Sequence, residues 1–277
     1  MRLGASVTGG EFVYEVQRGD SLTSVAARFG MAARSLASAN DMAGEARLKE
    51  NQKLRIDNRH IVPGTLKDGI LINIPQRMLF YFKDGQHLHH FPVGLGRPDW
   101  PTPTGSFTVV IKEENPVWDV PPSIREEMRR EGKPVQTCVP PGPENPLGKH
   151  WLGLSRRGYG IHGTIAPASV YQFRTHGCVR LHPDDIAALF PTVSPGTPVT
   201  IMYQRLMLAK VGNRIFLEVH PDIYAKQPEP MQQLHEVTRL YNLTADIDWQ
   251  RAEDIIRRQE GIARGVTKET EPGHAEN

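Results

Sequence analysis

The rhythm of hydrophobic and polar positions changes three times along the chain. Residues 12–17, FVYEVQ, alternate with Phe12, Tyr14 and Val16 on one side, which predicts a strand. In the next segment, GDSLTSVAARFG, Leu22, Val25, Ala26 and Phe29 fall at i, i+3, i+4 and i+7, the stripe of an amphipathic helix. Asp20 or Ser21 offers a side-chain oxygen to its first turn, and Gly30 stands where a left-handed terminator belongs. A second short helix fits residues 33–40, and QKLRI (52–56) reads as a strand. The first rhythm is therefore strand, helix, helix, strand.

HIVPGTLKDG then reads as a linker, and the pattern turns strand-rich. ILINIPQRMLFYFKDGQHLHHFPVGLG holds two or three strands, with Asp84-Gly85 as a tight hairpin turn. GSFTVVIK, WLGLS, YGIHGT and TPVTIMY add more. Between them lies a proline-rich stretch, residues 116–148, too rich in Pro for a sheet interior. Its centre, 123–131, predicts a short helix capped by Ser123, and long loops of this kind are commonly functional. HPDDIAALF predicts a helix with Pro183 in its first turn.

From about Leu206 the rhythm shifts again. A hairpin about Gly212-Asn213 is followed by two amphipathic helices, and Asp246 or Asp248 caps the second. The tail KETEPGHAEN reads as disordered. The fold class is α+β and mostly β, with expected segments 12–63, 69–203 and 204–277.

Composition changes this picture little. With 277 residues, 39% hydrophobic and 23% charged, the chain has room for about two domains of ordinary globular type. A net charge of +2 without a Lys/Arg run gives no footing for nucleic acid. No apolar run is long enough for a membrane span, and MRLGASVTGGEFVYEVQ contains no signal-peptide core. The chain is thus cytoplasmic, or exported with its signal trimmed. Two cysteines make no disulfide framework.

The candidate chemistry sits in FRTHGCVRLH, residues 173–182. A thiolate is the strong nucleophile, and a neighbouring His takes the thiol proton. His176 precedes Cys178 by two residues, while His162 lies sixteen residues upstream and can approach from an adjacent strand, which favours His162 as base. Gly177 allows close backbone approach, so its N–H and that of Cys178 are candidate oxyanion donors. The Arg180 guanidinium matches a carboxylate, although pairing with Asp184 or Asp185 is the plain alternative. Thr175 has a hydroxyl to fix the loop or orient a histidine. Tyr159 reads equally as packing or as a substrate contact. Trp100, Trp118, Trp151 and Trp249 read as core, with Trp118, next to the proline-rich loop, also a candidate to shape the cleft. A zinc site is disfavoured, since His-x-Cys is no usual structural zinc spacing. Both Cys138 and Cys178 are expected as free thiols, because a bridge would silence the nucleophile.

HGTIAPASVYQFRTHGCVR resembles the signature of the L,D-transpeptidases, the YkuD-type cysteine enzymes of the bacterial wall. FPVGLG, TPTG, PPGPENPLG and YGIHGT extend the similarity across residues 69–220. YEVQRGDSLTSVAARFG, SLASAND and LKENQKLRI resemble a LysM module over residues 14–63, with Glu50-Asn51-Gln52 where that family has Pro-Gly-Gln. The pair is most similar to the Gram-negative subgroup. The resemblance implies a mostly β sandwich preceded by a small βααβ module. It implies that Cys178 attacks the diaminopimelate carbonyl of a wall tetrapeptide, releases D-Ala, and passes the acyl group to an amine. It implies His162 as base, oriented by the Gly163 carbonyl, with His176 lining the site. No metal or organic cofactor is expected, and acylation by carbapenems is. The implied partners are peptidoglycan stems and glycan, and the implied compartment is the periplasm. The acceptor stays open between a second diaminopimelate, a lysine-bearing outer-membrane protein and a free D-amino acid. Water in that role would make an L,D-carboxypeptidase or endopeptidase, and a relict site would leave a non-catalytic wall-binding protein.

Overall fold

The computed structural model describes residues 2–269; most of the expected disordered tail, from residue 270, lies outside the described residues. The fold is mixed α and β, mostly β, in two compact units. One comprises Ser21–Gly30 and Leu66–Met202; the other comprises the described residues up to Asp20, then Met31–Thr65, and those from Tyr203 onward.

In chain order the first elements are β1 (Ser6–Thr8), β2 (Glu11–Glu15), α1 (Leu22–Phe29), α2 (Ala33–Ala39), β3 (Lys53–Asp57) and β4 (His60–Val62). Next come β5 (Gly69–Asn73), β6 (Met78–Lys83), β7 (Gln86–Gly96), β8 (Gly105–Glu114), β9 (Trp118–Asp119), α3 (Pro122–Arg130) and β10 (Cys138–Val139). They are followed by β11 (His150–Leu154), β12 (Gly160–His162), β13 (Phe173–Thr175), β14 (Val179–Leu181), α4 (Pro183–Leu189) and β15 (Pro198–Met202). The chain continues with β16 (Leu206–Val211), β17 (Arg214–Val219), α5 (Pro230–Leu240), α6 (Trp249–Arg258) and β18 (Arg264–Gly265).

The first unit is built on one sheet in the order β13-β7-β14-β12-β11-β8-β15-β5-β6, and β6 pairs back onto β7. Eight strands therefore close into a barrel-like ring, with β13 added on β7, where a two-sheet sandwich was expected. The closure depends on β7, which is eleven residues long. Its first half pairs with β6 as far as Pro92, and Val93 and Gly94 pair with β14. Pro92, which has no N–H to donate, sits at this change of partner. The strands β5, buried throughout, and β6, buried but for Lys83, supply Ile70, Ile72, Leu79, Phe80 and Phe82 to the core.

α1 clusters with this ring, against β7 and a short 3₁₀ turn at Pro167–Ser169. Its cap is a reciprocal pair: the Ser24 N–H donates to Ser21 Oγ, and the Ser21 N–H to Ser24 Oγ. Asp20 instead accepts from the Tyr14 hydroxyl and the Gln17 N–H. In α3 the expected Ser123 cap is absent: Pro121 is the N-cap and Pro122 opens the helix, with no side-chain cap. Two prolines preset the backbone there, and Pro at the first position lacks only an N–H that would be unsatisfied anyway.

In the second unit β2 pairs with β3, β1 with β4, and β16-β17-β18 form a sheet. Leu206, Leu208, Leu217, Leu234, Val237 and Ala252 form its core. Asp248 caps α6 by accepting from the Arg251 N–H. His60, Ile61 and Val62, expected within a linker, are instead a fully buried strand. Their burial is bound to Glu218, whose carboxylate accepts from the Ile61 N–H at 2.5 Å and lies 2.7 Å from both His60 Nδ1 and His220 Nε2.

Candidate active site

The ring places the motif by strand register. β12 and β14 run parallel, with Ile161 opposite Val179 and His162 opposite Arg180. Registered neighbours share a face, and period-two alternation puts Cys178 on the same face as Arg180. Sixteen residues of sequence separation thus collapse onto adjacent strands. Cys178, His162, Arg180, His176, Thr175 and Tyr159 line one cleft of about 610 Å³.

The His162 ring is buried, and Nδ1 lies 2.7 Å from the Gly163 carbonyl oxygen. A carbonyl only accepts, so Nδ1 carries the proton and Nε2 the lone pair. Burial, reinforced by the Arg180 charge, pushes the imidazole pKa down to about 3. The Cys178 side chain is partly open to the cleft, yet closely enough surrounded that burial pushes its pKa up to about 11. Its thiol donates to the Gly158 carbonyl at 3.6 Å. The resting pair is therefore a neutral thiol and a neutral imidazole, not a preformed thiolate–imidazolium pair. Attack by such a thiol would require its proton to move at the same time, which is general-base rather than ion-pair chemistry.

Gly177 adopts φ +103°, and a Cβ there would lie 2.7 Å from Tyr159 Cε1. Both facts demand glycine. The positive φ also breaks the alternation before Cys178, so His176 does not simply stack with the thiol at i and i+2. Its ring packs edge-on against Trp100 at 4.7 Å, and Nε2 lies 2.5 Å from Glu127 on α3. Thr175 fixes this loop: its hydroxyl donates to the Cys178 carbonyl at 2.6 Å and accepts from the Gly177 N–H at 3.2 Å. The Gly177 N–H, expected as an oxyanion donor, is committed to that bond.

Arg180 does not pair with Asp184 or Asp185. Its Nη1 donates to Ser169 Oγ at 2.8 Å, and its Nε is buried without a hydrogen-bond partner. A mostly buried guanidinium at the wall of a cleft, with one donor left without a partner, suits an anion that can draw it out. Trp100 and Trp151, expected as core, line the same cleft, as does Trp118, whereas Trp249 packs on the core of the other unit. Gly160 makes room for the Trp151 indole, whose ring atoms would lie within 2.7 Å of a Cβ there.

The proline-rich stretch closes over this cleft as a strap. Its base is pinned by Asn145, fully buried, whose amide donates to the carbonyls of Pro116, Val139 and Pro140 and accepts from the Leu147 N–H. β9 pairs with β10 across the strap. Sequence reasoning missed Glu127, Arg97 and Ser169. Glu127 lies in the charged run REEMRRE, where nothing marks one carboxylate above its neighbours.

Cys138 and Cys178 are both free. Among the described residues one other group gathers metal-type ligands: His60, Glu218 and His220. Its nitrogen–oxygen separations of 2.7 Å are those of hydrogen bonds. Tetrahedral zinc ligands at ~2.0–2.1 Å would stand roughly 3.3 Å apart.

Residues 67–201 match the model of the L,D-transpeptidase catalytic domain, YkuD, and residues 14–57 match that of the LysM domain. The probable L,D-transpeptidase ErfK/SrfK of Salmonella typhimurium is 31% identical over 257 residues, covering 89% of this chain and 82% of that protein. The probable L,D-transpeptidase YcfS of Escherichia coli is 32% identical over 222 residues, 78% of this chain and 69% of that protein. The putative L,D-transpeptidase YkuD of Bacillus subtilis is 30% identical over 193 residues, 68% of this chain and 97% of that protein. This chain therefore belongs to the L,D-transpeptidase family, with a LysM module on the N-terminal side of its catalytic domain.

Proposed function

We propose that the protein is a peptidoglycan L,D-transpeptidase with Cys178 as nucleophile. The observation that carries the reading is the shared cleft face of Cys178, His162 and Arg180, with the His162 lone pair fixed on Nε2. Sγ attacks the carbonyl of the L-centre of diaminopimelate in a tetrapeptide donor as His162 Nε2 takes the thiol proton. The tetrahedral intermediate collapses to a thioester, the bond to D-Ala breaks, and His162 returns the proton to the leaving amine. An amine acceptor, deprotonated by His162, then attacks the thioester and restores the thiol.

Arg180, which lines the cleft, holds a donor carboxylate. That ion pair also offsets the positive charge that depresses His162, so the base strengthens as donor binds. Thr175 shapes the loop, Gly163 sets the His162 tautomer, and Tyr159 fills the space that Gly177 leaves free. With the Gly177 N–H committed, the Cys178 N–H is the oxyanion donor that this loop still offers. Residues 12–63, read as a βααβ unit, hold the enzyme on wall glycan, residues 69–203 do the chemistry, and residues 204–277 form a third segment. The compartment is the periplasm. The acceptor class extends from a second diaminopimelate stem to a lysine of an outer-membrane protein.

The test uses disaccharide tetrapeptide containing meso-diaminopimelate, with intact-protein mass and products followed for wild type and Cys178→Ala. A Cys178-dependent adduct, released D-Ala and crosslinked dimer are expected. Adduct followed by free tripeptide alone would reassign the enzyme as a hydrolase. No adduct from folded protein would sink the enzymatic reading.

A further inference from the structure

α3 contributes no buried residue, yet its Glu127 side chain is only 14% exposed. The reason is its two partners. Oε1 accepts from Arg97 Nη2 at 2.6 Å and Oε2 from His176 Nε2 at 2.5 Å. Arg97 lies just past the end of β7, and its N–H donates to the Thr175 carbonyl. One carboxylate therefore ties the strap to His176 directly and to Thr175 through Arg97, at the start of the loop that presents Cys178. An ionised carboxylate only accepts, so His176 must carry a proton on Nε2. The Arg97 bond, with help from His176, holds Glu127 below the usual carboxylate range and thus in that form.

We propose that Glu127 is a positioning residue for the acylation step, setting the His176 ring and latching the α3 strap over the cleft through the same carboxylate. The inference rests on the transpeptidase reading. Donor entry opens the latch, and its closing restores the Thr175–Cys178 loop around the bound carbonyl. Opening of the strap and loss of His176 orientation are then one event.

The test uses the full chain in a Cys138→Ser background, which leaves a single thiol. Acyl-enzyme formation with disaccharide tetrapeptide is timed by intact mass at rising donor concentration, and the histidine ring nitrogens are followed by NMR. E127Q is nearly isosteric, but its amide N–H₂ must face either Arg97, which cannot accept, or His176, which accepts only with its proton moved to Nδ1, so one tie is lost or the His176 tautomer is reversed. E127A loses both ties and E127D keeps the charge. The maximal acylation rate should fall on the order of a hundredfold in E127A and E127Q, the scale of a misplaced catalytic loop, with partial rescue in E127D. The His176 ring resonances should move in the two slow variants at unchanged melting temperature. Wild-type rates in E127Q overturn the proposal, and so does slow acylation with unmoved His176 resonances. Absence of adduct in the wild type would count against the transpeptidase reading instead. The His176 spectra of wild type and E127Q then decide the latch alone: a shift supports it and no shift overturns it.

Discussion

Two histidine clusters in this protein use similar parts to opposite ends. At His60, Glu218 and His220 everything is buried, and the carboxylate spends one oxygen on two imidazoles and the other on a backbone N–H. At His162, Cys178 and Arg180 the residues line a cleft, and the Arg180 Nε has no hydrogen-bond partner. The first cluster is enclosed on all sides and reads as structural. The second lines a cleft and reads as a candidate site. Burial has the same physical effect in both, disfavouring charge, but only the closed cluster has partners that overcome it. Burial alone would raise the Glu218 pKa, yet His60 and His220 bring it down to about 2. At Cys178 nothing comparable opposes burial, and the thiol stays neutral.

The sharpest way to break this contrast is thiol reactivity. With Cys138→Ser, alkylation of Cys178 by iodoacetamide should rise about tenfold per pH unit from neutrality towards pH about 11, roughly four orders of magnitude in all. A plateau near neutral pH would reveal a preformed ion pair. Next in size is Glu218→Gln, which presents an amide donor to groups that already donate. It should destabilise its unit by about 3–5 kcal/mol, the usual effect of breaking a buried charged pair, read from denaturant unfolding. Because the folded Glu218 pKa lies below the ~4.3 of an unfolded glutamate, its stabilisation is present above about pH 4.5 and lost as pH falls towards 2. A chelator should leave the melting temperature unchanged, and a drop would turn this staple into a metal site.

Gly177→Ala should cost about 1–3 kcal/mol in strain at φ +103° and displace Tyr159, lowering acylation in a protein that still folds. The smallest effect belongs to Arg180→Lys, which keeps the charge but loses the planar fork. Donor affinity should weaken about tenfold, measured as the donor concentration for half-maximal acylation. Unchanged affinity would return Arg180 to a packing role with Ser169.

Much of the local structure was legible because it depends on neighbours in sequence. The α1 stripe with Gly30 behind it, the Asp84-Gly85 hairpin and the Asp248 cap all arise from residues a few positions apart. The motif was legible because it needs particular residue types, a thiol beside glycine and a histidine before it. His60–Val62 was misread because VPG looks like a linker, while its burial is caused by Glu218 some 158 residues away. Trp100 and Trp151 were misread because apolar bulk looks alike whether it lines a core or a groove.

By itself, the sequence determined most of the element types, the family, and a candidate nucleophile with its candidate base. Tertiary structure alone decided which surfaces those residues share. Closure of the sheet through β7 brought β12 beside β14 and so His162 beside Arg180. The strap brought one carboxylate of many to His176. Desolvation, which is set by everything packed around a group and not by its chain neighbours, left thiol and imidazole both neutral.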